Sequence, residues 1–264
     1  TPVGRFRALE QDGLDFAASL GIADAAAAPD RLRALDVARI LAYPQKDSSM
    51  NPVVDGVFVP EDIGRVFSEG RQHPVPYLAG ANSWEASLIR PFNLPMAAVL
   101  LGVPPGAARA VYGDLADDAL KDAFFGDALF LAPAWVLAAD MAQARARAWL
   151  YHYTYVDEAE RGSVPGAAHG AEVSHLFRRP LRAGGSLSSR DLDASAPLRA
   201  YWIQFARAGD PNSPGLPGWP AFTTPHPVTM ELGERPVPRP DLFRERIEFQ
   251  RGLIDRARAS ISQR

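Results

Sequence analysis

The sequence contains no cysteine, which removes disulfides, thiolate metal sites and a cysteine nucleophile and leaves the redox compartment open. Nor is one sign of charge dominant: 28 Lys+Arg stand against 31 Asp+Glu, a net charge of −3. Without a long basic run there is no electrostatic ground for nucleic acid or a membrane surface as a partner. No stretch approaches the roughly 20 consecutive apolar residues that cross a bilayer, and no charged segment followed by an apolar one opens the chain. Internal repeats and polar interdomain linkers are also missing, so one domain is expected over residues 1–264. The 264 residues are 47% hydrophobic, enough for a sizeable core. Helical periodicity begins almost at Thr1, and further polypeptide is expected upstream.

Apolar residues at three- and four-residue steps predict a helix over 6–20, closed by Gly21, and a second over 31–41. Residues 51–60 (NPVVDGVFVP) read as extended segments around an Asp-Gly turn, with Pro60 opening a helix over 61–69. Residues 75–80 (VPYLAG) are apolar on both faces, as in a strand buried under helices. A long Ala-rich helical region over 94–147 is expected to break at Pro104-Pro105 and near Gly126. The aromatic, β-branched stretch 149–156 (WLYHYTYV) reads as a second strand, followed over 158–176 by a loop passing into a short helix. A helix is expected over 197–209. Segment 210–240 holds nine of the 24 prolines and one strand-like piece, 228–232, and a last helix covers 241–261.

Two segments join a strand end, a turn and an ionisable residue: 80–85 (GANSWE) after the first strand and 166–172 (GAAHGAE) after the second. In open α/β sheets ligands and catalytic groups gather where strands end. A histidine there is a candidate general base, and a carboxylate on its other ring nitrogen would fix the tautomer and stabilise the imidazolium. Taken singly, a Gly-flanked His169 reads first as a turn histidine and Glu85 as a favourable charge at a helix start. Their order says more. The acid candidate precedes the His by 84 residues, the acid-then-His order of α/β-hydrolases, in which a Ser on a G-x-S-x-G elbow comes first. No serine in this chain has glycine at both −2 and +2.

Residues 51–85 (NPVVDGVFVP … VPYLAGANSWE), 165–177 (PGAAHGAEVSHLF) and 202–222 (WIQFARAGDPNSPGLPGWPAF) resemble the C-terminal half of the type-B carboxylesterases, the para-nitrobenzyl esterase and cholinesterase family. The most specific motif is G-x-x-H-G-x-E, and the similarity runs in the family's order from about residue 6 to 261. The resemblance implies the last strands of a mostly parallel α/β-hydrolase sheet with many surrounding helices. It implies Glu85 as triad acid, His169 as triad base and Glu172 in a buried supporting network. Trp84 and Ala86 depart from the family's usual neighbours of the acid. By the same analogy Trp84, Phe92, Phe124 and Phe125 would line a substrate pocket, although core packing explains each as well.

The implied activity is serine carboxylesterase action on a small-molecule ester, with no cofactor and no metal. The nucleophile, the oxyanion donors and the first strands would lie in an N-terminal half outside this sequence. This chain alone is therefore expected to be inactive, since each missing oxyanion donor is worth on the order of 3–4 kcal/mol. A non-catalytic, cholinesterase-like binding or adhesion protein is the alternative. A third reading, an autonomous interaction module, is opposed by the unpaired strand edges it would leave. His175 is wrongly spaced from His169 for a two-histidine metal site. His152 is expected to pack inside its strand, and His73 and His226 precede prolines in turns. The basic residues of the last helix, including Arg246, Arg251 and Arg258, read as a solvated face.

Overall fold

A computed structural model describes residues 4–24, 26–42, 54–180 and 185–262. In chain order the elements are α1 (Gly4–Ser19), α2 (Ala28–Arg33), α3 (Val37–Leu41), α4 (Ile63–Ser68), β1 (Tyr77–Asn82), α5 (Met96–Val99), α6 (Pro105–Tyr112), α7 (Asp117–Gly126), α8 (Ala132–Gln143), β2 (Ala148–Tyr153), α9 (Ala171–Phe177), α10 (Ser189–Ala194), α11 (Ala196–Ala208), β3 (Val228–Leu232), β4 (Pro236–Pro240) and α12 (Arg244–Ser262). Two compact units are distinguishable, Thr1–Val66 with Ile261–Arg264, and Phe67–Ser260. The first contains a small apolar cluster built on Ala17, Ile22 and Ala28. The second contains the sheet and every candidate site residue.

The sheet order is β1-β2-β3-β4. β1, β2 and β3 are parallel, and β4 returns antiparallel to β3. β2 is buried on both faces, as a strand sandwiched by helices must be. One side packs with α8 through Ala81, Leu150, Ala134 and Ala138, the other with α11 through Trp149, Tyr153, Tyr201 and Trp219.

α7 and α8 form one unbroken helix of 27 residues, Asp117–Gln143, long and apolar enough to cross a membrane by length and composition. It lies instead against β1 and β2. At Gly126 it widens rather than breaks: Asp127–Leu131 is a π turn, and the Ala132 N–H donates to the Asp127 carbonyl five residues back. Pro133 accounts for this, since it has no N–H for the Leu129 carbonyl and its ring would collide with that carbonyl in a regular α-helix.

The last helix departs from the expected solvated face. Arg246 Nε donates to Asp127 at 2.7 Å and Arg258 to Asp140 at 2.8 Å, while Arg251 lies over the Trp135 ring at 4.2 Å. Gln250 donates to the Tyr112 hydroxyl. Two acids of the long helix, Asp127 and Asp140, are buried, and α12 carries the cations that neutralise them. Other departures are local. The stretch 31–41 is two helices, because the Asp36 side chain accepts from Ala38 N–H and starts a new one. Residues 54–60 form a loop, not strands, since Asp55 accepts from the N–H groups of Val57, Phe58 and Val59; residues 51–53 lie outside the described residues. α4 starts at Ile63 instead of at Pro60. β4 lies in the proline-rich wrap where only β3 was expected, and α10 is an additional helix with a Ser188–Asp191 capping box.

His152 packs inside β2 with its ring edge-on to Phe243, and burial lowers its pKa to about 4. The unfolded chain binds this proton more readily, so stability falls as pH drops from about 6.5 toward 4. The shift corresponds to about 3 kcal/mol over that window. Urea denaturation at pH 7 and pH 4.5 should show a smaller acid loss in His152→Gln than in the parent chain; an equal loss would locate the acid sensitivity elsewhere.

Candidate active site

β1 and β2 run in parallel, so the loops leaving their carboxyl ends emerge side by side. They remain joined beyond the strands: Ser83 N–H donates to the Tyr153 carbonyl, Trp84 N–H to the Ala167 carbonyl, and Ala167 N–H to Ser83 Oγ. A Cβ on Gly166 would stand 2.7 Å from Ser83 Oγ, so only glycine permits this approach. Glu85 opens a short 3₁₀ turn after β1. His169 ends the second loop, and Gly170, in the left-handed region at φ 77°, turns the chain into α9.

The two loops bring His169 Nδ1 to 2.6 Å from Glu85 Oε2. The other Glu85 oxygen accepts from Asn82 N–H at 2.6 Å, and the carboxyl is almost fully buried. Burial pushes its pKa up, while the Asn82 N–H and His169 act in the opposite direction. A carboxylate at Nδ1 can only accept, so Nδ1 carries the proton and Nε2 keeps its lone pair. Nε2 has no partner among the described residues, and 42% of the His169 side chain is exposed. The His169 N–H donates to Ser87 Oγ at 2.8 Å. His169 borders a cavity of about 740 Å³, with Trp84, Ser87, Tyr155, Asp157 and Ser174 also on its wall.

Glu172 lies on the first turn of α9 and accepts from the Asn82 side-chain amide, which also donates to the Ala168 carbonyl at 2.7 Å. Asn82 therefore ties both loops together through its backbone and its side chain. Chemically, a neutral imidazole oriented by a buried carboxyl and open at Nε2 can take a proton from an alcohol or water and return it to a leaving group.

A family model described as the carboxylesterase family matches residues 115–250, just over half of the chain. The chain belongs to the carboxylesterase family. Among curated relatives, the chain is 28% identical over 202 residues to liver carboxylesterase B-1 of Rattus norvegicus, covering 66% of this chain and 36% of the relative. To carboxylesterase 5A of Canis lupus familiaris it is 26% identical over 233 residues, covering 76% and 40%. The chain thus spans about 36–40% of the length of these relatives. A solved PNB esterase superposes with a TM-score of 0.67 over 90% of this chain and 54% of its own, at 21% identity. The shared architecture is the α/β-hydrolase fold.

The aromatic residues expected to line a pocket separate into different environments. Trp84 borders the cavity beside His169, and its indole N–H donates to Asp122 at 3.0 Å. Phe125 is buried in a cluster with Ala86 and Val99. Phe124 is fully enclosed and stacks on Tyr112, leaving no surface for a ligand, whereas Phe92 is 70% exposed on a 3₁₀ turn. Two residues of the site were not singled out from sequence. Asn82 carried a signal, a polar residue closing an apolar strand. Phe130 stacks on the His169 ring, with centroids 5.2 Å apart, and its position depends on the π turn, which periodicity does not reveal. His175 is fully buried and bonds Tyr153 through Nδ1, outside the Glu85–His169 pair.

Proposed function

We propose that this chain is the C-terminal portion of a single serine carboxylesterase domain and supplies the acid and base of its triad. The observation that carries the reading is the 2.6 Å contact between His169 Nδ1 and buried Glu85, with Nε2 unpartnered beside a cavity. A serine from polypeptide outside this sequence passes its proton to Nε2 as its Oγ attacks the ester carbonyl. Glu85 stabilises the resulting imidazolium, which returns the proton to the departing alcohol. Water, deprotonated by the same imidazole, then releases the acid from the acyl-enzyme. Glu172 and Asn82 hold the two loops in register and take no proton.

Membership of the carboxylesterase family supports ester chemistry, and the absence of a G-x-S-x-G elbow supports an external nucleophile. So does β1: it is the margin strand, and among the described residues no strand pairs with its outer side. Small carboxylic esters are the substrate class. The test is hydrolysis of para-nitrophenyl acetate and butyrate by the chain alone and after co-expression with a nucleophile-bearing α/β-hydrolase segment. The chain alone should release nitrophenol at the buffer rate, and co-expression should produce a burst equal to the enzyme present. Enzymatic turnover by the chain alone would place the nucleophile within it and refute the division of labour.

A further inference from the structure

We propose that the π turn Asp127–Leu131 positions the acid–base pair, with Phe130 as the positioning residue that fixes the His169 ring. The inference rests on the dyad reading above but addresses a different question, namely what holds an imidazole steady when only one of its nitrogens is bonded.

His169 has two polar restraints, the Nδ1 contact with Glu85 and the backbone N–H to Ser87. Neither stops the ring from swinging about its Glu85 contact toward the cavity. Phe130 supplies the missing wall. Its ring is tilted 56° to the imidazole at 5.2 Å, and Phe125 backs it at 5.9 Å. Phe125 and Phe130 are five residues apart, which in a regular α-helix would splay them by about 140°. The i to i+5 closure of the π turn brings them to one face. The same helix passes beside the acid, where a Cβ on Gly126 would make van der Waals contact with the Glu85 Cβ at 3.8 Å. The helix therefore passes both members of the pair within about one turn, Glu85 at Gly126 and His169 at Phe130. Its phase is locked by Pro133 and by the Asp127–Arg246 ion pair at 2.7 Å. Removing the extra residue would rotate Phe130 away from His169 by about 100°.

The experiment compares Phe130→Ala, Phe130→Leu and Phe130→Tyr. In the isotopically labelled 264-residue chain, the proton shared by His169 and Glu85 should give a low-field resonance. It should broaden or vanish in the Ala and Leu variants and persist in Phe130→Tyr, which keeps the ring. Phe130→Leu keeps most of the apolar volume and guards against an Ala variant that fails to fold. In the co-expressed esterase, Phe130→Leu should lower kcat about 10- to 100-fold with KM within about twofold, and Phe130→Tyr should restore it, as expected for misplacement of a reacting group. An unchanged low-field resonance in folded Phe130→Leu, or equal loss in Leu and Tyr variants, would overturn the positioning role. If the resonance responds as expected while His169→Ala leaves esterase turnover intact, the esterase reading fails and the positioning role stands.

Discussion

Exchange of Glu85 for Gln in the co-expressed esterase is expected to lower kcat by about 10⁴-fold while leaving the fold intact. The isosteric amide can still accept the Asn82 N–H, so the loop keeps its shape. What it loses is the charge that selects the productive His169 tautomer and offsets the imidazolium. An amide can present its own N–H to Nδ1, which moves the ring proton to Nε2 and blocks proton uptake there. His169→Ala should cost at least as much. Steady-state kinetics with para-nitrophenyl butyrate, beside thermal unfolding of each variant, separate a chemical from a structural loss. Turnover within tenfold of the parent in a folded Glu85→Gln protein would remove Glu85 from the mechanism.

The second large effect concerns stability. Arg246→Met leaves the Asp127 carboxylate buried without its cation, and loss of one partner of a buried pair costs about 3–5 kcal/mol. Burial already pushes the Asp127 pKa up, and Arg246 is the principal force against it. The guanidinium also lies over Phe243 at 4.3 Å and Tyr112 at 4.9 Å, contacts that methionine replaces only in part. The cost should fall near the lower end, because the Arg246 side chain is 24% exposed. Combining Arg246→Met with Asp127→Asn should recover most of the loss, since no charge then remains stranded. Urea denaturation at pH 7 measures both, and a single-variant cost under about 1 kcal/mol would show that solvent compensates Asp127.

The parts of the molecule readable from sequence were those written in local pattern. β1 and β2 begin within two residues of the expected strands, and β3 has the expected bounds, because buried strands are written as short apolar or aromatic runs bounded by turns. Glu85 and His169 each follow a strand, and parallel neighbours deliver their exits to the same end, but their pairing as acid and base rests on their order and on the resemblance to the carboxylesterases. What escaped depended on partners far along the chain or on a change of phase. Arg246 looked like a solvent-facing charge because Asp127 lies 119 residues away. Phe130 could not be told from Phe124, since both belong to one apolar run and only the π turn decides which meets the imidazole. β4 was hidden by its prolines, residues that normally argue against a strand, yet an edge strand tolerates them when they alternate.

That alternation has a further consequence. Val237 and Arg239 sit between Pro236, Pro238 and Pro240 in the register with β3, so the prolines occupy the positions whose N–H would otherwise face away from the sheet. At the opposite border, Tyr77–Asn82 has neither a proline nor a charge. Among the described residues the ribbon of strands is capped on one flank and bare on the other, which gives strand-edge association of the isolated polypeptide a single polarity. Pairing of bare flank with bare flank would close the edge of both copies, so oligomers formed that way should stop at dimers.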